Sequence, residues 1–305
     1  MTTKHLLNWK EFSDFEIKGI LQTAQDIKKN PENYRNALAH KTLIMLFQKT
    51  STRTRVSFEV AMTELGGHAI FLDWKTTNFD LTEMEYETAY LSTNSHAIMA
   101  RVMKYEDLLA MKVGCSVPLI NGCCNRFHPA QALADMLTMK EDRGQLKGAN
   151  LTYIGVHNNV VNSLMALCAV FDVNLTLVCP IVPEGSVEVD YKNRLLEKNL
   201  LTETLDVKAA VDGADFVYTD TWVDMEFFSD PAKKAMKEER VNLMLPYQIN
   251  KELMKDSKAK IMHDMPIHTG YEITKDMVKS EYSIIFKQAE NRLHGQKGLL
   301  VTLMI

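Results

Sequence analysis

The sequence predicts an α/β protein of two domains, each a mainly parallel sheet flanked by helices in the Rossmann-like manner. Three observations carry this. The chain has 305 residues, about two domains at roughly 150 residues each. Short apolar runs of strand length alternate with longer helical patterns, which is the order of βαβ units. Within the strand expected at residues 41–47, Leu43 to Phe47 are continuously apolar rather than alternating, as in a strand buried on both faces of a parallel sheet.

Residues 13–29 open the chain as a helix. Phe15, Ile17, Ile20, Leu21 and Ala24 recur at helical spacing, and Ser13 with Glu16 forms a capping-box pair. Strands are expected at 41–47, 69–72, 97–102 and 118–120, with helices at 55–65, 105–111 and 129–140. After the polar stretch 141–150 a second set follows. Its strands are expected at 151–155, 174–179, 216–219 and 260–263, and its helices at 160–171, 191–201 and 208–212. The two domains therefore join near residues 135–150. The last run, 288–304, is a helix that comes after the second set and is free to pack back on the first domain.

Composition sets the outer limits. Hydrophobic residues at 46%, charged residues at 24%, and only 13 Gly and 8 Pro describe a chain that folds throughout. A net charge of -4 gives no basic excess to neutralise a phosphate backbone, so nucleic acid is not expected as a partner. Apolar runs such as 43–47 fall far short of the roughly 18–20 residues of a membrane span. Met1 to Phe12 lacks the apolar core of a signal peptide, so a cytoplasmic protein is expected. The five cysteines (115, 123, 124, 168 and 179) are odd in number and lack a Cys-x-x-Cys pair matched by histidines. They read as reduced thiols rather than a zinc site.

The most informative stretch is Lys49-Thr50-Ser51-Thr52-Arg53-Thr54-Arg55, which joins the 41–47 strand to a helix stopped by Gly66 or Gly67. Two arginines in a first helical turn oppose the positive end of the helix dipole unless an anion sits in front of them. Free N–H groups, the hydroxyls of Ser51, Thr52 and Thr54, and the guanidinium fork of Arg53 together make a phosphate cradle. A solvated basic cap is the alternative. A Walker loop is absent, which argues against an ordinary nucleoside triphosphate site.

A second group is His128-Pro129-Ala130-Gln131. Pro129 suits the first helical position, which makes His128 a cap residue, and spacing of three puts Gln131 on the same face. A histidine at a helix N-terminus is pushed toward its neutral form, where it donates a hydrogen bond to a carbonyl oxygen without being a strong acid. A structural histidine is the alternative. Arg101 closes the 97–102 strand at its carboxyl edge, where ligands of open parallel sheets bind, although a surface charge would occupy the same position.

The motifs Ser51-Thr52-Arg53-Thr54-Arg55, His128-Pro129-x-Gln131 and Gln288-Ala289-Glu290-Asn291-Arg292 resemble the signatures of the aspartate and ornithine carbamoyltransferase family. Glu64-Leu65-Gly66-Gly67-His68, Tyr218-Thr219-Asp220-x-Trp222 and Tyr247-Gln248-Ile249-Asn250 look more like the ornithine branch. No Arg-x-Gln follows Asp220 to clamp a second carboxylate, which disfavours the aspartate branch. The resemblance implies a homotrimeric enzyme of arginine metabolism that needs no metal or other cofactor. It implies that residues 1–135 bind carbamoyl phosphate, with helix 288–305 packing back on them, and that 150–287 bind an amine, ornithine by default. Carried over by position, Ser51, Thr52, Arg53 and Thr54 hold the phosphate, Arg101, His128 and Gln131 hold the carbamoyl group, and Arg292 completes the pocket. Arg53, Thr54, Arg101 and His128 would be the catalytic groups. On the acceptor side stand Asn159, Asp220, Asp224, Met225, Asp264 and Met265; a helix cap alone would also explain Asn159.

The sequence departs from the family pattern near the acceptor. The usual Ser-Met-Gly reads Asp224-Met225-Glu226, and the usual His-Cys-Leu-Pro reads His263-Asp264-Met265-Pro266. The loop that normally carries glycine and reaches a neighbouring subunit reads Asn78-Phe79-Asp80-Leu81-Thr82-Glu83. Extra carboxylates near the acceptor would favour a more cationic amine. Three readings follow: an ornithine carbamoyltransferase, a carbamoyltransferase for another amine such as putrescine or lysine, and a catalytically weak regulatory paralogue.

Overall fold

The computed structural model describes residues 3–223 and 231–305. The first half contains α1 (Asp14–Lys29), β1 (Thr42–Phe47), α2 (Thr52–Glu64), β2 (His68–Asp73), α3 (Met84–Thr93), β3 (Ala97–Arg101), α4 (Tyr105–Gly114), β4 (Leu119–Cys123) and α5 (Pro129–Arg143). The second contains β5 (Asn150–Val156), α6 (Asn159–Phe171), β6 (Asn174–Ile181), α7 (Val189–Glu197), β7 (Leu201–Glu203), α8 (Val207–Val211) and β8 (Phe216–Thr219). It continues with α9 (Lys234–Met244), α10 (Lys251–Met254), β9 (Lys260–His263) and α11 (Lys275–Val278), and α12 (Ile285–Met304) closes the chain.

Both sheets are parallel, in the orders β2-β1-β3-β4 and β7-β6-β5-β8-β9. The continuous apolar run of β1 is buried from Leu43 to Phe47 because β1 lies between two strands and is covered on both faces. β2, at the sheet edge, keeps the alternating pattern and exposes His68, Ile70 and Asp73. In each sheet the chain reverses direction across one strand pair. The reversal falls between β1 and β3, where Phe47 is in register with Arg101, and between β5 and β8, where Ile154 is in register with Thr219. Such reversals open a crevice at the carboxyl ends of the strands.

The halves are joined by packing. α5 lies against α6, and one apolar cluster runs from β1 and β3 through both helices into β5 and β6. α12 returns to the first half and packs on α1, α5 and α2. At Gly298 a Cβ would stand 2.7 Å from the backbone nitrogen of Ala24, so only glycine lets α12 approach α1 this closely. The capping box on α1 forms as expected, with Ser13 N–H donating to Glu16 at 2.8 Å. Phe15 does not join the α1 stripe. It is 85% exposed, two residues and about 200° of helical rotation from Ile17.

Several boundaries differ from expectation. α2 starts at Thr52 rather than 55, because Ser51 serves as its cap, and it ends where Gly66 takes φ +79°. β4 extends to Cys123, since Asn121 satisfies its buried amide by donating to the Leu7 carbonyl at 2.8 Å. α5 runs past residue 140, where the helix was expected to end, to Arg143 and the Gly144 cap. The helix expected over 191–201 stops at Glu197. Asn199 turns with φ +54°, and Leu201 begins the edge strand β7. α3 and α9 have no counterpart in the expectations; only Met244 of α9 is buried, so its sequence carries little apolar period.

Candidate functional site

The two crevices open onto one cavity of about 500 Å³. From the first half it is lined by residues following β1, β3 and β4, and from the second by residues following β5, β8 and β9.

On the first side, Ser51 caps α2 and its hydroxyl accepts the Thr54 N–H at 3.3 Å. Thr54 is buried beneath that turn, and its Oγ1 accepts from Arg101 Nη1 at 3.3 Å and from Arg292 Nη2 at 2.8 Å. Arg292 Nη1 donates to Gln131 Oε1 at 2.6 Å. Arg53 reaches across the cavity and donates from Nη2 to the Met265 carbonyl at 2.9 Å. Three guanidiniums thus converge from three separate elements.

The protein leaves them short of partners. The Nε groups of Arg53, Arg101 and Arg292 and Nδ1 of His128 are all buried without a hydrogen-bond partner among the described residues. Buried donors are nearly always paired, and like charges repel, so such a cluster is stable when an anion occupies the space between its members. Burial, and then the neighbouring Arg53 and Arg101, lowers Arg292 to about 10, which leaves it charged at neutral pH. His128 caps α5 ahead of Pro129 and is held well below its usual range by burial and then by Arg292, Arg101 and Arg53. It is a neutral imidazole whose backbone is fixed by donation to Ser163 Oγ at 2.8 Å. Such a group can donate to a developing oxyanion.

Not every expected residue faces the cavity. The Thr52 side chain is exposed outside it. Gln131 is fully buried behind the wall, where its carbonyl holds Arg292 and its amide donates to Asp135 at 2.9 Å. The second arginine of the motif, Arg55, pairs with Glu59 at 3.2 Å and stacks 3.7 Å over the Phe71 ring. Residues 78–83 lie outside the cavity wall, with Phe79 packed on Trp74 and Asp80 accepting from the indole.

On the second side, the cap of α6 is Asn158 rather than Asn159: Asn158 Oδ1 accepts from Val160 and Val161 N–H. Asn159 donates instead to the Cys124 carbonyl at 2.6 Å, which ties the two halves together at the cavity floor. Asp220 is held by Asn158 Nδ2 at 2.5 Å and by the Thr221 N–H at 2.6 Å. Asp264 lies nearby, and burial, followed by the charge of Asp220, raises it well above the usual carboxylate range. Met265 adopts φ +64°, a strained conformation for a non-glycine residue, and presents its carbonyl to Arg53. Asp224 and Met225, with the neighbouring Glu226, lie outside the described residues.

Asp220, His263 and Asp264 bring one potential ligand atom each within 4.8 Å of one another. The histidine has no lone pair to offer a metal. Its Nδ1 accepts the Met265 N–H at 2.8 Å, so Nε2 carries the proton and donates to Glu272 at 3.1 Å. Sequence reasoning passed over Lys49, Cys123, Asn158, Trp222 and Arg240, which also line the cavity. Lys49 stood inside the Lys49 to Arg55 stretch and Trp222 inside the Asp220-x-Trp222 motif, neither with a role assigned; Cys123, Asn158 and Arg240 carry no signal in local spacing.

Residues 4–141 match the carbamoyl-P binding domain of the aspartate/ornithine carbamoyltransferases, and residues 147–303 match their Asp/Orn binding domain. The chain is 39% identical to the ornithine carbamoyltransferase of Archaeoglobus fulgidus, with 99% of this chain and 97% of that one aligned. It is 38% identical to that of Shewanella oneidensis over 98% and 99%. Among solved structures, the ornithine carbamoyltransferase of Pyrococcus furiosus superposes with a TM-score of 0.92 at 37% identity, covering 99% of this chain and 97% of that one. The enzyme of Thermus thermophilus gives 0.87 at 34% over both full chains.

Proposed function

Because the chain belongs to the aspartate/ornithine carbamoyltransferase family and is a carbamoyltransferase, we propose that it transfers the carbamoyl group of carbamoyl phosphate to an amine of ornithine. The observation that carries this reading is the converging set Arg53, Arg101 and Arg292, each with a buried, unpartnered Nε, set opposite the Asp220 and Asp264 carboxyls in one cavity. An anion is held on one wall and a cation on the other.

In this reading the first half, with α12, binds carbamoyl phosphate and the second binds the amine. The Ser51 hydroxyl, the N–H groups of Thr52 and Arg53 in the first α2 turn, and the Arg53 guanidinium hold the phosphate. Arg101, His128 and Thr54 surround the carbamoyl oxygen. Gln131 acts through Arg292 rather than on the ligand. As the neutral amine attacks, charge develops on that oxygen and is stabilised by Arg101 and the neutral His128, while Arg53 stabilises the departing phosphate. Asn159, Asp220, Asp264 and Met265 place the amine, with Asp224 and Met225 assigned to the same side. Assembly as a homotrimer, a cytoplasmic location and a place in arginine metabolism belong to the same proposal. No helix of the described residues is long and apolar enough to cross a membrane.

Asp264, a carboxylate facing the acceptor side, favours a second reading in which another amine such as putrescine or lysine is the acceptor. Purified protein with carbamoyl phosphate and a panel of amines decides between them by ureido product and released phosphate. Turnover with ornithine well above every other amine supports the first reading. Preference for a diamine or lysine supports the second. No product with any amine, alongside thermal stabilisation by carbamoyl phosphate, marks a weak regulatory paralogue.

A further inference from the structure

The end of β4 puts a thiol where the two walls of the cavity meet. Cys123 is in register with Arg101 on β3, and both side chains line the cavity. Its Sγ accepts from Asn159 Nδ2, on the acceptor side, at 3.3 Å. On the anion side it lies within electrostatic reach of Arg292. Arg292 and His128 are both more than nine-tenths buried, and each brings to this cavity a nitrogen, Nε and Nδ1, with no partner among the described residues. Such donors call for a ligand oxygen beside the thiol. The other cysteines are shut off. Cys124 borders the cavity, but its sulfur accepts from the Asn121 amide at 3.3 Å and the Phe127 N–H at 3.4 Å, and burial pushes it up to about 11. Burial also raises Cys115, Cys168 and Cys179, and none of these three lines the cavity.

Resting on the carbamoyl-transfer reading, we propose that Cys123 is a carbamoylation site: with no amine on the acceptor side, its sulfur takes the carbamoyl group from bound carbamoyl phosphate and the enzyme inactivates itself. Sulfur is a strong nucleophile, and the donors that stabilise the oxyanion during attack by an amine serve equally when sulfur attacks. The sulfur forms a bond to the carbamoyl carbon. The bond from that carbon to the bridging phosphate oxygen breaks, its electron pair stays on that oxygen, and the thiol proton leaves with the phosphate as hydrogen phosphate. No oxidant or further reactant enters. The S-carbamoyl group left behind stands between Asn159 and Arg292, where it fills the junction that the amine and carbamoyl phosphate share. A bound amine competes for the same carbon and blocks the approach of sulfur, so the reaction is confined to enzyme starved of acceptor.

Peptide mass spectrometry tests this. Wild type incubated with carbamoyl phosphate alone should gain one carbamoyl group per chain, on the peptide carrying Cys123, and should lose amine-transfer activity in step with the label. Acceptor amine, with carbamoyl phosphate replenished, should suppress the label. Cys123→Ala should take no label and keep its own starting activity through the same incubation; decay at the wild-type rate would overturn the link between label and inactivation. Arg53→Ala should label about tenfold more slowly or worse with carbamoyl phosphate, since one charge-assisted contact to the donor is gone, yet match wild type with potassium cyanate. Equal labelling of Arg53→Ala and wild type by carbamoyl phosphate would make free isocyanic acid the donor and overturn transfer from the bound ester. A label confined to another cysteine, or no label while an amine is still converted to ureido product, overturns the proposal and leaves carbamoyl transfer intact. No label and no ureido product with any amine overturn both.

Discussion

Gln131 accepts a hydrogen bond from Arg292 at 2.6 Å, and through it a cationic cavity wall is anchored to a buried carboxyl. The Gln131 amide donates to Asp135 at 2.9 Å, and Gln288 donates to the same Asp135 oxygen at 2.7 Å. Gln288 also accepts the His263 backbone N–H at 2.8 Å, so one chain of bonds runs from the anion wall to the strand carrying the acceptor-side carboxyl. Gln131→Met keeps the volume and removes both bonds. It should destabilise the fold by about 1–3 kcal/mol, since Arg292 Nη1 and Asp135 each lose a buried partner. The KM for carbamoyl phosphate should rise roughly tenfold or more as Arg292 loosens, while the amine KM holds. A melting curve and a two-substrate titration check this, and an unchanged carbamoyl phosphate KM would contradict the anchoring role.

Arg53→Ala addresses the cradle directly. A ligand at about 100 times its Kd stabilises the native state by about 2.7 kcal/mol, a shift of a few degrees for a chain of this size. Carbamoyl phosphate should give that shift in wild type and none in Arg53→Ala. Arg53→Lys, which keeps the charge but not the fork, should give a partial shift. A full shift in Arg53→Ala would remove Arg53 from the phosphate site.

His128 carries a signed pH prediction. Its folded-state proton affinity lies well below that of an ordinary histidine near 6.5, because burial and then three arginines oppose the imidazolium. Below pH 6.5 the unfolded chain binds a proton that the folded chain refuses, so stability falls as pH drops through that value. His128→Gln keeps a donor and removes the titration. The difference in melting temperature, variant minus wild type, should therefore rise as pH falls from 7 to 5, while kcat/KM at pH 7 falls by about 10²-fold. A difference independent of pH would mean that His128 titrates normally.

The fold and the anion wall were legible in the sequence for one physical reason. Continuous apolar strands and a helix whose first turn carries Arg53 and Arg55 are local patterns, and local patterns survive translation into sequence. Even so, Arg55 reads the same as Arg53 in the sequence, and only the helix rotation shows that one faces the cavity while the other stacks on Phe71. The cap of α6 falls on Asn158 instead of Asn159 for the same reason, a shift of one residue at a helix start. The Asp220 and Asp264 pairing is a long-range contact between the ends of two neighbouring strands. Sequence could name both residues, but it could not show that Asp264 Oδ1 is left without a partner. α9, with one buried residue, has little to announce it.

Asp135 should give stability the opposite slope to His128. Burial raises it from 3.8 to about 7, offset in part by donation from Gln288, Gln131 and Tyr218. A carboxyl whose folded value is raised holds a proton in the native state that the unfolded state has already lost. Its contribution is therefore complete below about pH 3.8 and disappears as pH rises through about 7. Asp135→Asn can keep the same bonds, its carbonyl accepting from the two glutamines and its amide donating to the Tyr218 oxygen, without ever becoming charged. The difference in melting temperature, variant minus wild type, should rise from pH 5 to 7 and level off above that. A difference independent of pH would place the proton elsewhere in the network. Because the Asp135 and His128 slopes are equal and opposite between about pH 3.8 and 6.5, they should nearly cancel in wild type, and each single variant should uncover the slope of the group that remains: falling with pH in His128→Gln and rising with pH in Asp135→Asn.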